Sequence, residues 1–295
     1  MTNIRLTERD LDIFRYMACL RLLTMNQMAT LFYDNHPLPR LELEKGKTAL
    51  RVRVSKLMNA GYIRSAPLSF TKVAYVKGYF LGPNGIEVIK DMREIEDYSR
   101  PRWLERKHTT CLVHGPHHVI ANNFLINLLM LAKHRDDFVI YEWLGDKDAT
   151  FRFTWKGTRL TFDPDLYLSY SGVSKKITPL FVEVDRNTTT TTVIGQKTYR
   201  LIQYCCSDEY MDLFGSRKIP RTCFIVPDKK RLSEISKVIS KIIRTYNVSE
   251  FQFYLSTFEG TDVFSIDEGR ITDKSLNGVW YNQQMERVES PLNSS

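Results

Sequence analysis

Residues 45–85 read KGKTALRVRVSKLMNAGYIRSAPLSFTKVAYVKGYFLGPNG, and the first part of this stretch has the pattern of a helix. Leu50, Val54 and Leu57 recur at the spacing of one helix face. Gly61 then supplies the left-handed conformation in which many helices end. The stretch therefore predicts a helix that ends close to Gly61.

The rest of the stretch has the pattern of a hairpin and a turn. Apolar and polar side chains alternate at 62–64 and again at 74–81, which predicts two short strands. Gly-Pro-Asn-Gly at 82–85 predicts a turn into a further helix that continues to about Met92.

Two helices are predicted upstream of this stretch, each from its capping residues. Thr7 followed by Asp10 predicts the start of a helix that runs to about Leu22. The same pattern recurs at Thr24 and predicts a helix over 25–33. Three helices, a hairpin and a last short helix predict a winged helix-turn-helix domain at residues 1–92.

The charge of residues 45–85 is one-sided. The stretch contains eight basic residues and no acidic residue, in a chain whose net charge is +8. Such a local excess is typical of a surface that faces phosphates, so we expect this domain to bind double-stranded DNA. A protein-docking role for the same fold is the alternative. The residues expected to contact DNA are Lys47, Arg51, Arg53, Ser55, Lys56, Asn59, Lys72 and Lys77.

Length and composition fit a globular protein of two domains. The chain has 295 residues, of which 43% are hydrophobic and 26% charged. Five cysteines without paired spacing favour a reducing compartment, so we expect a cytoplasmic protein. The longest apolar run, 124–132, is too short to span a bilayer, so no membrane association is expected. Residues 93–116 are predicted to be a charged linker.

The second region, 117–282, alternates between helical and strand patterns. This alternation predicts an α/β domain with a mixed sheet, so the chain as a whole is expected to be α+β. Residues 283–295 are expected to form a disordered tail. Helices are predicted at about 117–135, 193–205 and 231–246, and strands at 138–143, 150–155, 159–170, 177–185, 222–226 and 251–256.

Acidic residues stand at spacings of two on the predicted strands. Asp163 and Asp165 share one strand face, and Glu183 and Asp185 share another. Clustered carboxylates suit a hard cation, so the pattern predicts a bound magnesium or manganese ion. Lys197, on the helix that follows, is a candidate to stabilise negative charge on a reacting phosphate.

These residues resemble a known nuclease pattern. Pro164-Asp165, Glu183-Val184-Asp185 and Lys197 are similar to the PD-(D/E)xK motif, although Asp185 stands where that motif has its lysine. Over a longer span, the chain resembles the plasmid replication-relaxation family and is similar to C-class mobilisation relaxases. The segments that carry the longer resemblance are TERDLDIFRYM, KLMNAGYI, YFLGPNG and FVEVDR…GQKTYR.

The resemblance implies a winged helix joined to a restriction-endonuclease-like domain that acts on plasmid or transfer-origin DNA. The residues it implies as metal ligands are Asp165, Glu183 and Asp185, with Lys197 as the charge-stabilising catalytic residue. Glu142 is a weaker candidate for an outer ligand. A homodimer or a relaxosome partner is also implied.

Three functions remain open from the sequence. The first is a metal-dependent DNA endonuclease that nicks one strand. The second is an inactive accessory or regulatory protein that uses the nuclease-like domain to hold DNA or to dimerise, because Asp185 replaces the expected lysine. The third is a protein-interaction scaffold without a DNA role.

Two further patterns are interpreted as structural. Cys111, His114, His117 and His118 lie too close together for a tetrahedral zinc site without a dedicated turn, and they are expected to open a helix or to contact DNA. Tyr199 and Tyr204 point to different sides of one helix, so they are interpreted as core or stacking residues and not as paired nucleophiles.

Overall fold

The computed structural model describes residues 4–33, 40–69, 75–96, 114–145, 148–173, 175–215, 219–268 and 270–293. The chain is α+β, as expected, and it contains a large mixed sheet. It divides into two compact units. The first unit comprises 1–130 with 264–271, and the second comprises 131–263 with 272–295.

Helices form most of the first unit, and the predicted capping residue starts the first of them. The hydroxyl of Thr7 accepts a hydrogen bond from the amide of Asp10, whose carboxylate accepts one from the amide of Thr7 in return. The first four helices are α1 (Glu8–Leu20), α2 (Met25–Tyr33), α3 (Arg40–Asn59) and α4 (Pro83–Glu96). The first, second and fourth follow the prediction closely, whereas α3 begins well before Leu50.

The first unit also contains a small antiparallel sheet. Its strands are β1 (Leu23–Thr24), β2 (Ile63–Ser69) and β3 (Tyr75–Leu81), in the order β1-β3-β2. The predicted hairpin is therefore present, with a first strand longer than expected. The two-residue strand β1 was not predicted, because it exists only through its pairing with Tyr79 and Gly78.

Helix α5 (Gly115–His134) corrects the expected start of the second domain. Prediction placed this helix in the second domain, but its residues up to Met130 belong to the first unit. The reason is packing: Val119 joins a buried cluster with Leu22, Leu68 and Phe80. The side-chain amide of Asn122 also donates a hydrogen bond to the carbonyl of Leu22 at 2.8 Å.

The second unit is built on a mixed sheet of seven strands among the described residues. The strands are β4 (Val139–Gly145), β7 (Leu166–Ser171), β8 (Thr178–Val184), β9 (Arg221–Val226), β10 (Phe253–Thr257), β11 (Trp280–Tyr281) and β12 (Arg287–Val288). Their order in the sheet is β12-β11-β10-β9-β8-β7-β4. Strands β8, β9 and β10 run parallel, and the remaining neighbours are antiparallel.

A separate hairpin replaces part of one predicted strand. The strand expected at 159–170 is divided into β6 (Thr158–Phe162) and β7, because Asp163-Pro164-Asp165 leaves the extended ladder. Strand β6 pairs with β5 (Phe151–Trp155) and not with the large sheet. Proline has no amide hydrogen to donate to a ladder, so a break at this point is expected on physical grounds.

Helices cover the sheet face that carries the acidic residues. Helix α6 (Thr191–Cys205) packs beside α8 (Lys229–Tyr246), and their apolar sides meet Phe181 and Phe224 of the sheet in one buried cluster. The shorter helices are α7 (Asp208–Phe214), α9 (Phe258–Thr261) and α10 (Lys274–Asn277). No described helix is long and apolar enough to cross a membrane.

The predicted disordered tail is wrong for residues 283–293. Strand β12 pairs with β11 inside this segment, and Leu292 is buried. The hydroxyl of Tyr170 donates a hydrogen bond to the carbonyl of Pro291, which holds the chain against β7. The linker expected at 93–116 lies mostly outside the described residues.

Candidate metal centre and nucleic-acid interface

Asp165 and Glu183 meet where β7 and β8 come together. The antiparallel register pairs Leu166 with Val182, so the next residues outward, Asp165 and Glu183, face one another across the two strands. The Asp165 carboxylate accepts a hydrogen bond from the amide of Val184 at 2.7 Å. The amide of Asp165 donates to the carbonyl of Val182 at 3.1 Å. These bonds hold the Asp165 carboxylate beside Glu183.

Lys197 completes this group from helix α6. Glu183 is 5% exposed, and its Oε2 accepts a hydrogen bond from the Nζ atom of Lys197 at 2.5 Å. Thr190 caps α6 through the amide of Val193, and the helix begins seven residues after the last residue of β8. The structure therefore brings Asp165, Glu183 and Lys197 together, and we call these three residues the acidic-lysine centre.

Electrostatic balance favours the charged form of Lys197. Burial acts to lower the pKa of the Lys197 ammonium, but the carboxylates of Glu183, Asp165 and Asp163 outweigh this effect. Its net pKa is therefore raised above the usual value for lysine. A permanent positive charge at this position can neutralise one of the two acids or attract a phosphate oxygen.

Asp185, two residues after Glu183, has a different partner. It is 4% exposed, and its Oδ2 accepts a hydrogen bond from the Nε atom of Arg231 at 2.5 Å. Arg231 also donates to the carbonyl of Thr189 at 2.5 Å, which ties down the segment that leads into α6. The arginine comes from α8, 46 residues further along the chain, so no local sequence pattern indicates this pair.

The donor set fits a divalent ion held by two carboxylates and not by three. The described residues contain no group of three His, Cys, Asp or Glu side chains that could hold a metal ion. Magnesium is commonly bound through one or two carboxylates, with water and substrate phosphate as its other ligands. Asp165 and Glu183 supply such a pair, whereas Asp185 is engaged by Arg231. Glu142 pairs in register with Ser169, about 13 Å along the strand from Asp165.

The exposed face of α3 carries four of the eight predicted DNA contacts. Arg51, Ser55, Lys56 and Asn59 are all exposed, and they lie on the side of the helix opposite its buried residues. This face lies within residues 45–85, a stretch whose sequence contains eight basic residues and no acidic one. It is the candidate nucleic-acid interface of the first unit.

The other four predicted contacts have different surroundings. Lys47 is 7% exposed, so it is buried where exposure was expected. Arg53 is half-buried, and it donates to the carboxylate of Asp10 at 2.5 Å and to the carbonyl of Arg5 at 2.8 Å. Lys77 is exposed on β3, and its ammonium lies 5.7 Å from the centre of the Tyr79 ring. Lys72 lies outside the described residues.

A family model described as replication-relaxation matches residues 14–213, about two thirds of the chain. The chain belongs to the replication-relaxation family. The matched segment includes α3 and the acidic-lysine centre, but it ends before Arg231. Searches of curated proteins and of solved structures return no match for this replication-relaxation protein.

One candidate residue of this replication-relaxation protein was missed from the sequence. Val52 is 55% exposed in the middle of the basic face of α3, between Arg51 and Ser55. The DNA contacts predicted on this helix are all polar or basic side chains, and Val52 is not among them. The available signal was its helical position, because Val54 and Leu57 already define a buried face on which Val52 does not lie. Apolar side chains contact the methyl group of thymine in the major groove.

The cysteine-histidine cluster at 111–118 and the two tyrosines of α6 were interpreted as structural. Among the described residues, His114 is exposed, while His118 is buried near the start of α5, and Cys111 lies outside them. Tyr204 packs among the aromatic rings of the second unit, with its ring centre 5.1 Å from that of Phe151. Tyr199 instead stacks on Tyr246 of α8 at 4.0 Å.

Proposed function

We propose that this protein binds double-stranded plasmid DNA and nicks one strand with a divalent magnesium or manganese ion. Membership of the replication-relaxation family points to a role in plasmid replication or relaxation. The observation that carries the nicking proposal is the acidic-lysine centre. Two carboxylates from neighbouring strands and a charged lysine from the covering helix converge there, with 2.5 Å between Lys197 and Glu183.

The first unit supplies the DNA-binding part of this function. Its helices α1 to α3, followed by the hairpin β2–β3, have the element order of a winged helix-turn-helix, and α3 stands where such domains place the helix that enters the major groove. The exposed Arg51, Lys56 and Asn59 have the donor groups that suit phosphates and base edges. We propose that this helix selects the site on the plasmid or transfer origin.

The second unit supplies the chemistry. Asp165 and Glu183 would hold the ion, and the ion would supply a water of lowered pKa and a Lewis acid beside the phosphodiester. The amide of Val184 fixes the orientation of the Asp165 carboxylate. Lys197 keeps its proton, since nearby acids raise its pKa, and its ammonium can stabilise the extra negative charge that develops on the attacked phosphate.

A second function is favoured by two observations. Asp185 is paired with Arg231, and the described residues contain no group of three metal-binding side chains. An accessory or regulatory DNA-binding protein would need only the neutral pairing of Glu183 with Lys197, which already satisfies both charges. In that case the nuclease-like unit holds DNA or a second copy of the chain and does not cut.

Metal-dependent stabilisation separates these two functions. Manganese at about 100 times its dissociation constant stabilises a folded protein by about 2.7 kcal/mol, a rise in melting temperature of roughly 5 to 10 °C for a unit of this size. We expect this rise in the full-length wild type and its loss in Glu183→Gln. Lys197→Met should keep or enlarge the rise, because lysine and metal compete for the same carboxylate.

The control is Glu250→Gln, which changes an exposed acid of the same unit and should respond to manganese like the wild type. An unchanged melting temperature of the wild type at millimolar manganese would favour the accessory function. A rise that survives in Glu183→Gln and in Asp165→Asn would mean that the metal binds elsewhere.

A further inference from the structure

Helix α8 presents a row of basic side chains to solvent. Lys230, Lys237, Lys241 and Arg244 are all exposed, and their spacings of seven, four and three residues place them on one narrow arc of the helix. We call these four residues the basic stripe. It extends about 21 Å along the helix, and it faces away from the buried Leu232, Ile235 and Ile239.

The stripe lacks acidic partners. Among the described residues, none of its four side chains forms an ion pair, and the only acid within the helix, Glu234, is bonded to Arg231 at 3.1 Å. Exposed helix faces of soluble proteins commonly mix both signs of charge in pairs three or four residues apart, and those pairs stabilise the helix. Here the neighbours Lys237, Lys241 and Arg244 repel one another.

The first turn of α8 also has an electrostatically unfavourable charge. Lys230 lies in the first turn, where the helix dipole disfavours positive charge. The helix therefore accepts repulsion at its start and along its exposed arc. A bound polyanion would convert this repulsion into attraction, whereas solvent alone only screens it.

The stripe belongs to the same layer as the acidic-lysine centre. Helix α6, which carries Lys197, packs against α8: a side-chain Cβ at Gly195 would lie 3.4 Å from Val238. Tyr199 of α6 stacks on Tyr246 at the end of α8. The apolar side of α8 is buried in the core, so it is not available to enter a lipid bilayer. Duplex DNA, a long and regular polyanion, therefore fits this straight row of cations better than a lipid surface does.

We propose that the basic stripe binds the sugar-phosphate backbone of double-stranded DNA, as a second DNA surface distinct from α3. This inference rests on the proposed DNA binding and adds where the second unit holds the duplex. The stripe lies beyond residue 213, where the family match ends. Its side chains would contact phosphates and not bases, so its contribution is independent of DNA sequence.

The test is the salt dependence of binding by the full-length protein to a labelled 30-base-pair duplex of random sequence, without divalent metal. Each phosphate contact contributes about 0.9 to the slope of log affinity against log salt. The combined variant Lys237→Gln, Lys241→Gln and Arg244→Gln should therefore reduce the magnitude of this negative slope by about 2 to 3. It should remain folded, because the change removes repulsion between exposed side chains.

A matched control carries the same change of net charge elsewhere in the second unit, through Lys156→Gln, Arg159→Gln and Lys175→Gln, all at exposed positions. Its slope should stay within about one of the wild-type slope. If the stripe variant and this control have the same slope, the inference is wrong while DNA binding through α3 stands. If the wild type does not bind the duplex at all, the proposed function fails and the inference fails with it.

Discussion

At the scale of single residues, the spacing of charges identified candidates, but the fold decided what each one does. Asp165 and Glu183 were predicted to act together, and the structure places them across two neighbouring strands. Asp185 was predicted to share a strand face with Glu183, yet it is bound by Arg231, 46 positions away in the sequence. Likewise, Arg53 was predicted to contact DNA but is bonded to Asp10. Contacts between distant segments cannot be read from local patterns.

The Asp10–Arg53 pair gives a residue-scale prediction about stability. Burial acts to raise the pKa of Asp10, but hydrogen bonds from Arg53 and Thr7 outweigh it and leave the pKa below its usual value. We expect Asp10→Asn to lower the free energy of unfolding by about 1.5 to 3 kcal/mol at pH 7. Because the pKa of Asp10 is lower in the folded state, the ionised carboxylate contributes its full stabilisation above a pH of about 4. This contribution is lost as the pH falls through the folded-state pKa.

Urea unfolding at several pH values measures this difference. It should be largest at neutral pH and should shrink below pH of about 4. The control Asp12→Asn removes an exposed pair with Arg15, so it should change stability by no more than about 0.5 kcal/mol. A difference between Asp10→Asn and the wild type that does not depend on pH would contradict the ion pair.

At the scale of elements, local signals predicted most helices and several strands. The capping pattern at Thr7 predicted the start of α1, and the α2 range matched, because these signals lie within a few residues. Strands β1, β11 and β12 each have two residues and depend entirely on their partners, so no local pattern could predict them. The position of Lys197 beside Glu183 depends on how α6 packs, which is equally non-local.

The element-scale prediction concerns the exposed face of α3. Arg51→Glu together with Lys56→Glu should weaken binding to a duplex selected by the wild type by roughly tenfold or more, because both side chains are exposed on the basic face. Circular dichroism should remain unchanged, since neither residue is buried. Equal affinity of this variant and the wild type, measured by fluorescence anisotropy, would show that α3 is not the DNA-binding helix.

At the scale of the whole molecule, the sequence predicted two domains but not which residues belong to each of them. The chain crosses between the units more than once, because residues 264–271 belong to the first unit. Asn26 donates to the carbonyl of Asp267, and Asn123 donates to its carboxylate at 2.8 Å. These bonds join segments more than a hundred residues apart, and a linear division into domains misses them.

The proposed cutting of one DNA strand by the acidic-lysine centre can be tested on supercoiled plasmid. The most direct test incubates supercoiled plasmid carrying the element's own origin with full-length protein and manganese, and then separates open circles from supercoils on a gel. We predict open circles with the wild type and with the control Glu250→Gln, and a loss of at least about a hundredfold with Glu183→Gln. Equal nicking by the wild type and Glu183→Gln, or intact DNA binding without nicking by either, would contradict this proposal.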